Sequence, residues 1–337
     1  MSHPLDTQDM QSIIRKSPAQ LIAGLKTEPD RPLPAGPFDQ IVVAGMGGSW
    51  MAAALVAEAG LSRVPLHILR SYDLPVNLNG TGTLMIASSF SGNTEETLSI
   101  YDAALQNGFP LVGISSGGHL EQRCRGDDIP FVRIPAAPAW IQPRSATGYG
   151  VGILVRLLAR CGCAVDGAED AVAALVAYLF DEMERTRERG RDLVDVLREA
   201  TPVVYSPLAY ETVARIWKIK FNENAKTPAF WNVFPELNHN EMTGWIHRHG
   251  RFHLVLLSDP QADPRLQDCE RITIEILKPY GLESSSVSMN GRSRLEKIFS
   301  TLLVGEWASY ELALMLGEDP SPVELVEEFK RRLRQAD

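Results

Sequence analysis

The chain has 337 residues, 45% of them hydrophobic and 22% charged, which at roughly 150 residues per domain predicts two folded domains and excludes disorder over most of the length. Its 42 acidic against 33 basic side chains give a formal charge of −9, a balance that repels polyanions and excludes nucleic acid and anionic membranes as partners. The longest apolar runs fall far short of the roughly 20 residues of a membrane span, and the opening MSHPLDTQDM lacks a basic stretch followed by an apolar one, so a cytoplasmic protein is expected.

Met10, Ile13, Ile14, Leu21 and Leu25 recur at helical spacing over residues 7 to 28 and predict an N-terminal helical arm, which PDRPLPAGP ends. From residue 40 short apolar runs alternate with amphipathic stretches: QIVVAG, a helix to about 60, PLHILR, TLMIASS, a helix to about 107, PLVGIS and IPFVRIP. That rhythm predicts a parallel sheet wrapped by helices. A long helical region over 145 to 200 leads to a second cycle of PVVYS, a helix through 210 to 224, FHLVLLS, a helix near 264 to 278 and SSSVSM. A helix of about 25 residues from Arg292 follows, and after the capping pattern Ser321-Pro322-Val323-Glu324 a charged amphipathic helix closes the chain. The fold class is α/β with a duplicated unit. The expected division is an arm over 1–38, a first domain over 39–165, and linking helices, a second domain and C-terminal helices over 166–337. Four cysteines, Cys124, Cys161, Cys163 and Cys269, form no CxxC pair and no zinc-ligand spacing, so reduced structural thiols are expected.

Duplication allows the halves to be compared position by position. After the first strand of the N-terminal half comes Gly45-Met46-Gly47-Gly48-Ser49, where the C-terminal half has Ser206-Pro207-Leu208-Ala209. After TLMIAS comes Ser89-Phe90-Ser91-Gly92-Asn93-Thr94, where the other half has Ser258-Asp259-Pro260. Both glycine and hydroxyl loops fall at the carboxyl ends of strands, where an open parallel sheet forms its ligand crevice. A dinucleotide is disfavoured, because Trp50 stands where the G-x-G-x-x-G pattern needs a small residue, and the stretch about 20 residues on, VPLHILR, has no carboxylate, the nearest beyond it being Asp73. Three hydroxyls around Gly92 at a helix start suit a phosphate monoester. They equally suit plain helix capping, with Asn93 at the N-cap and Glu96 three residues on.

The stretch NENAKTPAFWNVFPELNHNEMTGW, residues 222–245, reads as a polar loop after a helix, and such a loop is a site or an interface. Glu223 ends the helix with Lys226 three residues on, and His239 stands between Asn238 and Asn240. Carboxylate and imidazole are the minimum kit for moving protons. A Glu223–Lys226 pair and a surface histidine are the structural alternatives. His247, Arg248 and His249, with Arg251 and His253, read as a solvated basic loop rather than a metal site.

Together GMGGS, SSFSGNTEET, QPRSATGYG, NENAK with ELNHNE, and a late Lys297 in RSRLEKIFSTLLVGEWASYELA resemble the bifunctional phosphoglucose/phosphomannose isomerases of the sugar isomerase (SIS) domain superfamily. The resemblance spans residues 40 to 330 in order. It implies two tandem SIS domains, each a five-stranded parallel sheet flanked by helices, besides the N-terminal arm and C-terminal helices. It implies a homodimer acting on glucose 6-phosphate and mannose 6-phosphate, with fructose 6-phosphate as the common ketose and no metal or other cofactor. By resemblance Gly47, Gly48, Ser49, Ser89, Ser91 and Thr94 cradle the sugar phosphate and Glu223 is the base between C1 and C2. Arg144 is the guanidinium beside the enediolate, His239 the ring-opening acid/base supplied across the subunit interface, and Lys297 a second cation near the ring oxygen. The expected two-fold interface joins the apolar face of the 292–317 helix to the Asn238-His239-Asn240 loop. Two other readings stand beside this one: a non-catalytic sugar-phosphate-binding regulator, and an SIS isomerase for another sugar phosphate.

Overall fold

The computed structural model describes residues 3–75, 78, 80, 82–135, 141–247, 249–333 and 335. In chain order the first half contains α1 (Met10–Leu25), β1 (Gln40–Ala44), α2 (Gly48–Glu58), β2 (Leu66–Leu69), β3 (Thr83–Ser89), α3 (Glu95–Gln106), β4 (Leu111–Ser115), α4 (Gly118–Gly126), β5 (Phe131–Arg133), α5 (Thr147–Arg160) and α6 (Ala168–Arg191). After α7 (Val194–Leu197) follow β6 (Thr201–Pro207), α8 (Glu211–Glu223), β7 (Phe230–Phe234), α9 (Glu241–Gly244), β8 (Phe252–Ser258), α10 (Pro264–Leu277), β9 (Glu283–Ser288), α11 (Arg294–Met315) and α12 (Glu324–Leu333). The chain divides into two compact units. One comprises Arg15–Asp181 and Arg294–Glu296, the other Met1–Ile14, Glu182–Ser293 and Lys297–Asp337.

The first unit carries a five-stranded parallel sheet in the order β2-β1-β3-β4-β5. Its central strands are continuous apolar runs because helices cover both faces. Val42, Met85 and Ala87 meet Leu98, Tyr101, Leu120 and Phe131 in one such layer. The helical region expected over 145 to 200 is interrupted by Gly162 and Gly167, both with positive φ, which end α5 and start α6. Here Cys124 lies buried against the sheet, and burial pushes its thiol up to about 12.

The second unit carries a parallel sheet of four strands among the described residues, in the order β7-β6-β8-β9. This corrects the expectation of five strands in each half. In the first unit β4 leads through the short α4 to β5, whereas β9 leads directly into the 22-residue α11, leaving no segment to add a fifth strand. A second correction is β7 itself, which forms inside the stretch read as a loop. Its five residues FWNVF pair with Val203–Pro207 of β6, but the strand lies at the sheet edge, between Pro228 and Pro235, and its burial runs from exposed Phe230 to buried Val233 and Phe234 without alternating. Val203, Tyr205, Phe234, Leu254 and Leu277 form the core beneath it.

The helix α11 corrects the expected interface. Ile298, Val304, Trp307, Ala308, Tyr310, Leu312 and Ala313 are each at most 1% exposed, so its apolar face is spent inside the chain. Trp217 Nε1 on α8 donates to the Thr301 carbonyl (3.0 Å), and a side chain at Gly190 on α6 would strike Trp307 and Ala308. His253 also leaves the basic loop in which the sequence places it. It lies buried in β8 with Nε2 bonded to Ser285 Oγ (2.8 Å), and burial, partly opposed by Glu283, lowers its pKa. His247 and His249 are exposed, and Arg248 lies outside the described residues. Among the described residues no helix is long and apolar enough to cross a membrane.

Candidate functional site

In the first unit the loops after β1 and β3 are adjacent because their strands are. Gly47, with φ +54°, is the N-cap of α2, and Ser49 Oγ accepts from the Phe90 N–H (3.0 Å), tying one loop to the other. Ser89 is buried, pairs with Thr94 through their hydroxyls (2.8 Å) and accepts from the Gly92 N–H (3.1 Å). Ser91 is exposed and accepts from the Asn93 N–H (3.2 Å). Gly92 has φ +75°, and a Cβ there would lie 1.8 Å from the Gly117 carbonyl oxygen; only glycine fits. Asn93 does not cap α3. Its Oδ1 accepts from the His119 N–H at the start of α4 (3.0 Å), so Thr94 takes the N-cap position and Glu95 and Glu96 enter the first turn. The hydroxyl loop is thus a compact turn at a helix N-terminus, where main-chain N–H groups favour an anion.

A buried cation stands beside it. Arg144, 2% exposed, occupies a 3-10 turn, Pro143–Ser145. That turn rests directly on the glycine loop, since a Cβ on Gly48 would lie 2.6 Å from the Pro143 carbonyl carbon and oxygen. Gln20 Nε2 holds it from α1 by donating to the Ser145 carbonyl (2.8 Å), and Thr147 Oγ1 donates to the Arg144 carbonyl (3.2 Å). The first unit therefore brings together Gly48, Ser49, Arg144 and the Ser89–Thr94 turn. Trp50 is buried below, with the Arg70 guanidinium 5.1 Å from its ring centroid.

In the second unit Glu223 is the last residue of α8 and half-buried. Two buried contacts dock that helical turn on α11: an ion pair of Lys220 with Glu306, and Asn224 Nδ2 donating to Ser309 Oγ (3.0 Å). Lys226, at φ +54°, turns its ammonium to the main-chain carbonyls of Glu223 (2.9 Å), Asn224 (3.2 Å) and Asp319 (2.6 Å). It thus satisfies the helix C-terminus with a cation. His239 ends the 3-10 turn Glu236–His239 and is exposed.

Lys297 lies 6% exposed at the start of α11, with Nζ bonded to Asp259 Oδ1 (2.6 Å) and Gln261 Oε1 (3.0 Å). Asp259 also accepts from Tyr210 Oη (2.7 Å) and the Gln261 N–H (2.9 Å). Burial raises the pKa of its carboxyl, and these bonds outweigh that and leave it below the ordinary value. The sequence reading missed Asp259, seeing in Ser258-Asp259-Pro260 only the loss of hydroxyls. It also missed Lys220 with Glu306, and Glu241, whose one sequence signal is its place two residues after His239.

Residues 186–333 match the family described as bacterial phospho-glucose isomerase C-terminal SIS domain. The chain is 32% identical over 311 residues to a bifunctional phosphoglucose/phosphomannose isomerase of Caldicellulosiruptor bescii, covering 88% of this chain and 90% of that protein. It is 30% identical to one of Aquifex aeolicus, covering 89% and 92%. Among solved structures, a hypothetical protein of Thermus thermophilus matches with a TM-score of 0.71 at 16% identity, covering 98% of this chain and 88% of that one. That likeness is one of fold.

Proposed function

The chain belongs to the family of bifunctional phosphoglucose/phosphomannose isomerases, and from that premise we propose that it interconverts glucose 6-phosphate and mannose 6-phosphate with fructose 6-phosphate through a cis-enediolate. The two sheets are read as tandem SIS domains, at 39–165 and within 166–337. The observation that carries the reading is the contact of the Pro143–Ser145 turn, which bears the buried Arg144, with Gly48 of the glycine loop, which Ser49 ties to the Ser89–Thr94 turn.

The phosphate is assigned to that cradle: Gly47, Gly48, Ser49, Ser89, Ser91 and Thr94, through main-chain N–H groups at the starts of α2 and α3 and the hydroxyls. Binding energy from this remote group positions C1 and C2. A hexose 6-phosphate arrives as a closed ring, so His239, with Lys297 as a cation near the ring oxygen, is assigned the protonation of that oxygen and removal of the O1 proton. Lys297 gives two of its three N–H bonds to Asp259 and Gln261, which suits a fixed charge. Glu223 then takes the C2 proton and returns it to C1. Arg144 supplies the positive charge that the enediolate requires, because a guanidinium does not give up its own proton. Every step uses side chains alone. The exposed His239 supports its delivery to a partner subunit's substrate in a homodimer, with the Asn238-His239-Asn240 segment at the interface.

A coupled assay of both aldose phosphates against fructose 6-phosphate tests the function. Turnover of both substrates is expected; binding of either without turnover of any would make the protein a sensor and overturn the reading.

A further inference from the structure

We propose that Glu241 is the positioning residue for His239, holding the imidazole in place through Tyr205 and Asn232. The inference rests on the ring-opening role proposed above for His239.

The exposed imidazole stands on a short segment whose own secondary structure is slight: a 3-10 turn of four residues, then the four-residue α9. Single turns of this length do not hold themselves together in water. The neighbours of His239 do so instead. On its N-terminal side Asn238 Nδ2 donates to Thr273 Oγ1 on α10 (2.7 Å), and the Thr273 hydroxyl donates to the Cys269 carbonyl (2.6 Å). Two residues past His239, one carboxylate oxygen of Glu241 accepts from Tyr205 Oη on β6 and the other from Asn232 Nδ2 on β7. A single side chain thus ties the segment to two neighbouring strands of the sheet.

The network is costly to build without a purpose. Tyr205 is fully buried, and burial together with its bond to Glu241 pushes its phenol pKa well above the ordinary value, so it remains a donor. Its oxygen in turn accepts from Trp245 Nε1 (3.1 Å), completing a relay from Trp245 through Tyr205 to Glu241. The carboxylate borders a recess of about 340 Å3 lined also by Val203, Phe230, Trp231, Gly244 and Trp245. A carboxylate against such apolar surroundings is tolerated only because both oxygens are bonded. Ring opening needs the imidazole within hydrogen-bond reach of the sugar oxygens, and a misplacement of about 1 Å costs on the order of 10²-fold. The Glu241 tether supplies that accuracy from the rigid sheet.

The two chemical steps are separable. Glu223→Gln stops proton transfer at C2 but leaves ring opening, which is read as exchange between the α and β anomers of glucose 6-phosphate by NMR exchange spectroscopy. Adding Glu241→Gln to that variant is expected to slow enzyme-catalysed anomer exchange about 10²-fold, with the dissociation constant for glucose 6-phosphate and the melting temperature little changed. Tyr205→Phe, which keeps the carboxylate and one of its donors, is expected to give a smaller loss, and it serves as the test if the first variant does not fold. Anomer exchange unaffected by either substitution overturns the proposal. A parallel loss of affinity and exchange marks a collapsed loop and also overturns it. A Glu223→Gln enzyme with no anomer exchange of its own overturns the ring-opening role of His239, and the positioning role with it.

Discussion

Gly48 shows how a single residue sets the geometry of the proposed phosphate site. Its missing side chain lets the Pro143–Ser145 turn settle on the start of α2, and Arg144 takes its place through that contact. Alanine at this position is conformationally tolerable but sterically not, so the turn must move and the guanidinium with it. For Gly48→Ala we expect kcat/KM to fall on the order of 10²-fold with the fold retained, as measured by steady-state kinetics beside a thermal melt. Unchanged kinetics in a folded variant would separate Arg144 from this contact. At this scale the sequence was legible where a residue type is itself diagnostic: the glycines and hydroxyls of the two loops, the Glu at a helix end, the His between amides. It was illegible where meaning lies in a distant partner. Lys297 could be singled out, but its bond to Asp259, 38 residues away, could not. Nor could the sheet contacts of Glu241, because local text carries no trace of which side chains meet after folding.

Among the elements, α8 and α11 show where stability and site geometry coincide. The Lys220–Glu306 pair and the Asn224–Ser309 bond join the last turn of α8 to α11, immediately beside Glu223. The Lys220 and Glu306 side chains are 3% and 18% exposed, so deleting one partner leaves the other charge buried. Lys220→Met is expected to cost about 3–5 kcal/mol in chemical denaturation. A Lys220→Met, Glu306→Leu double variant should recover much of that loss, and a single variant as stable as the parent would contradict a buried pair. Apolar rhythm made the elements legible wherever strands are covered on both faces: β1, β3, β4, β6 and β8 stand where the pattern puts them. The rhythm failed for β7, whose edge position removes the pressure for a continuous apolar run. It failed also for the number of strands in the second sheet, because α11 begins where a repeat of the first half would have continued.

Across the whole molecule the duplication is structural and the proposed chemistry is divided. The first sheet keeps open, hydroxyl-bearing loops at the carboxyl ends of β1 and β3. At the matching ends of β6 and β8 the second places Tyr210 and Asp259, bonded to each other, with Asp259 also accepting from Lys297. A carboxylate fills the place where the first half has its proposed phosphate cradle. The second half contributes the proposed base Glu223 and the proposed acid/base His239 instead. This asymmetry explains why a repeated fold carries one set of catalytic assignments rather than two. It also directs the decisive experiment to the base that those assignments share. Both aldose phosphates should be brought to equilibrium in deuterium oxide by the parent enzyme and by Glu223→Gln, and NMR should look for deuterium at C1 of the fructose 6-phosphate formed and at C2 of the aldose. An enediolate route predicts solvent deuterium at those positions from both substrates, entering in the turnovers in which the proton held by Glu223 exchanges before it is returned, and a loss of turnover in the variant of at least 10²–10⁴-fold, the scale of a missing general base. No deuterium at either carbon after many turnovers at equilibrium, or a Glu223→Gln enzyme as active as its parent, would contradict it.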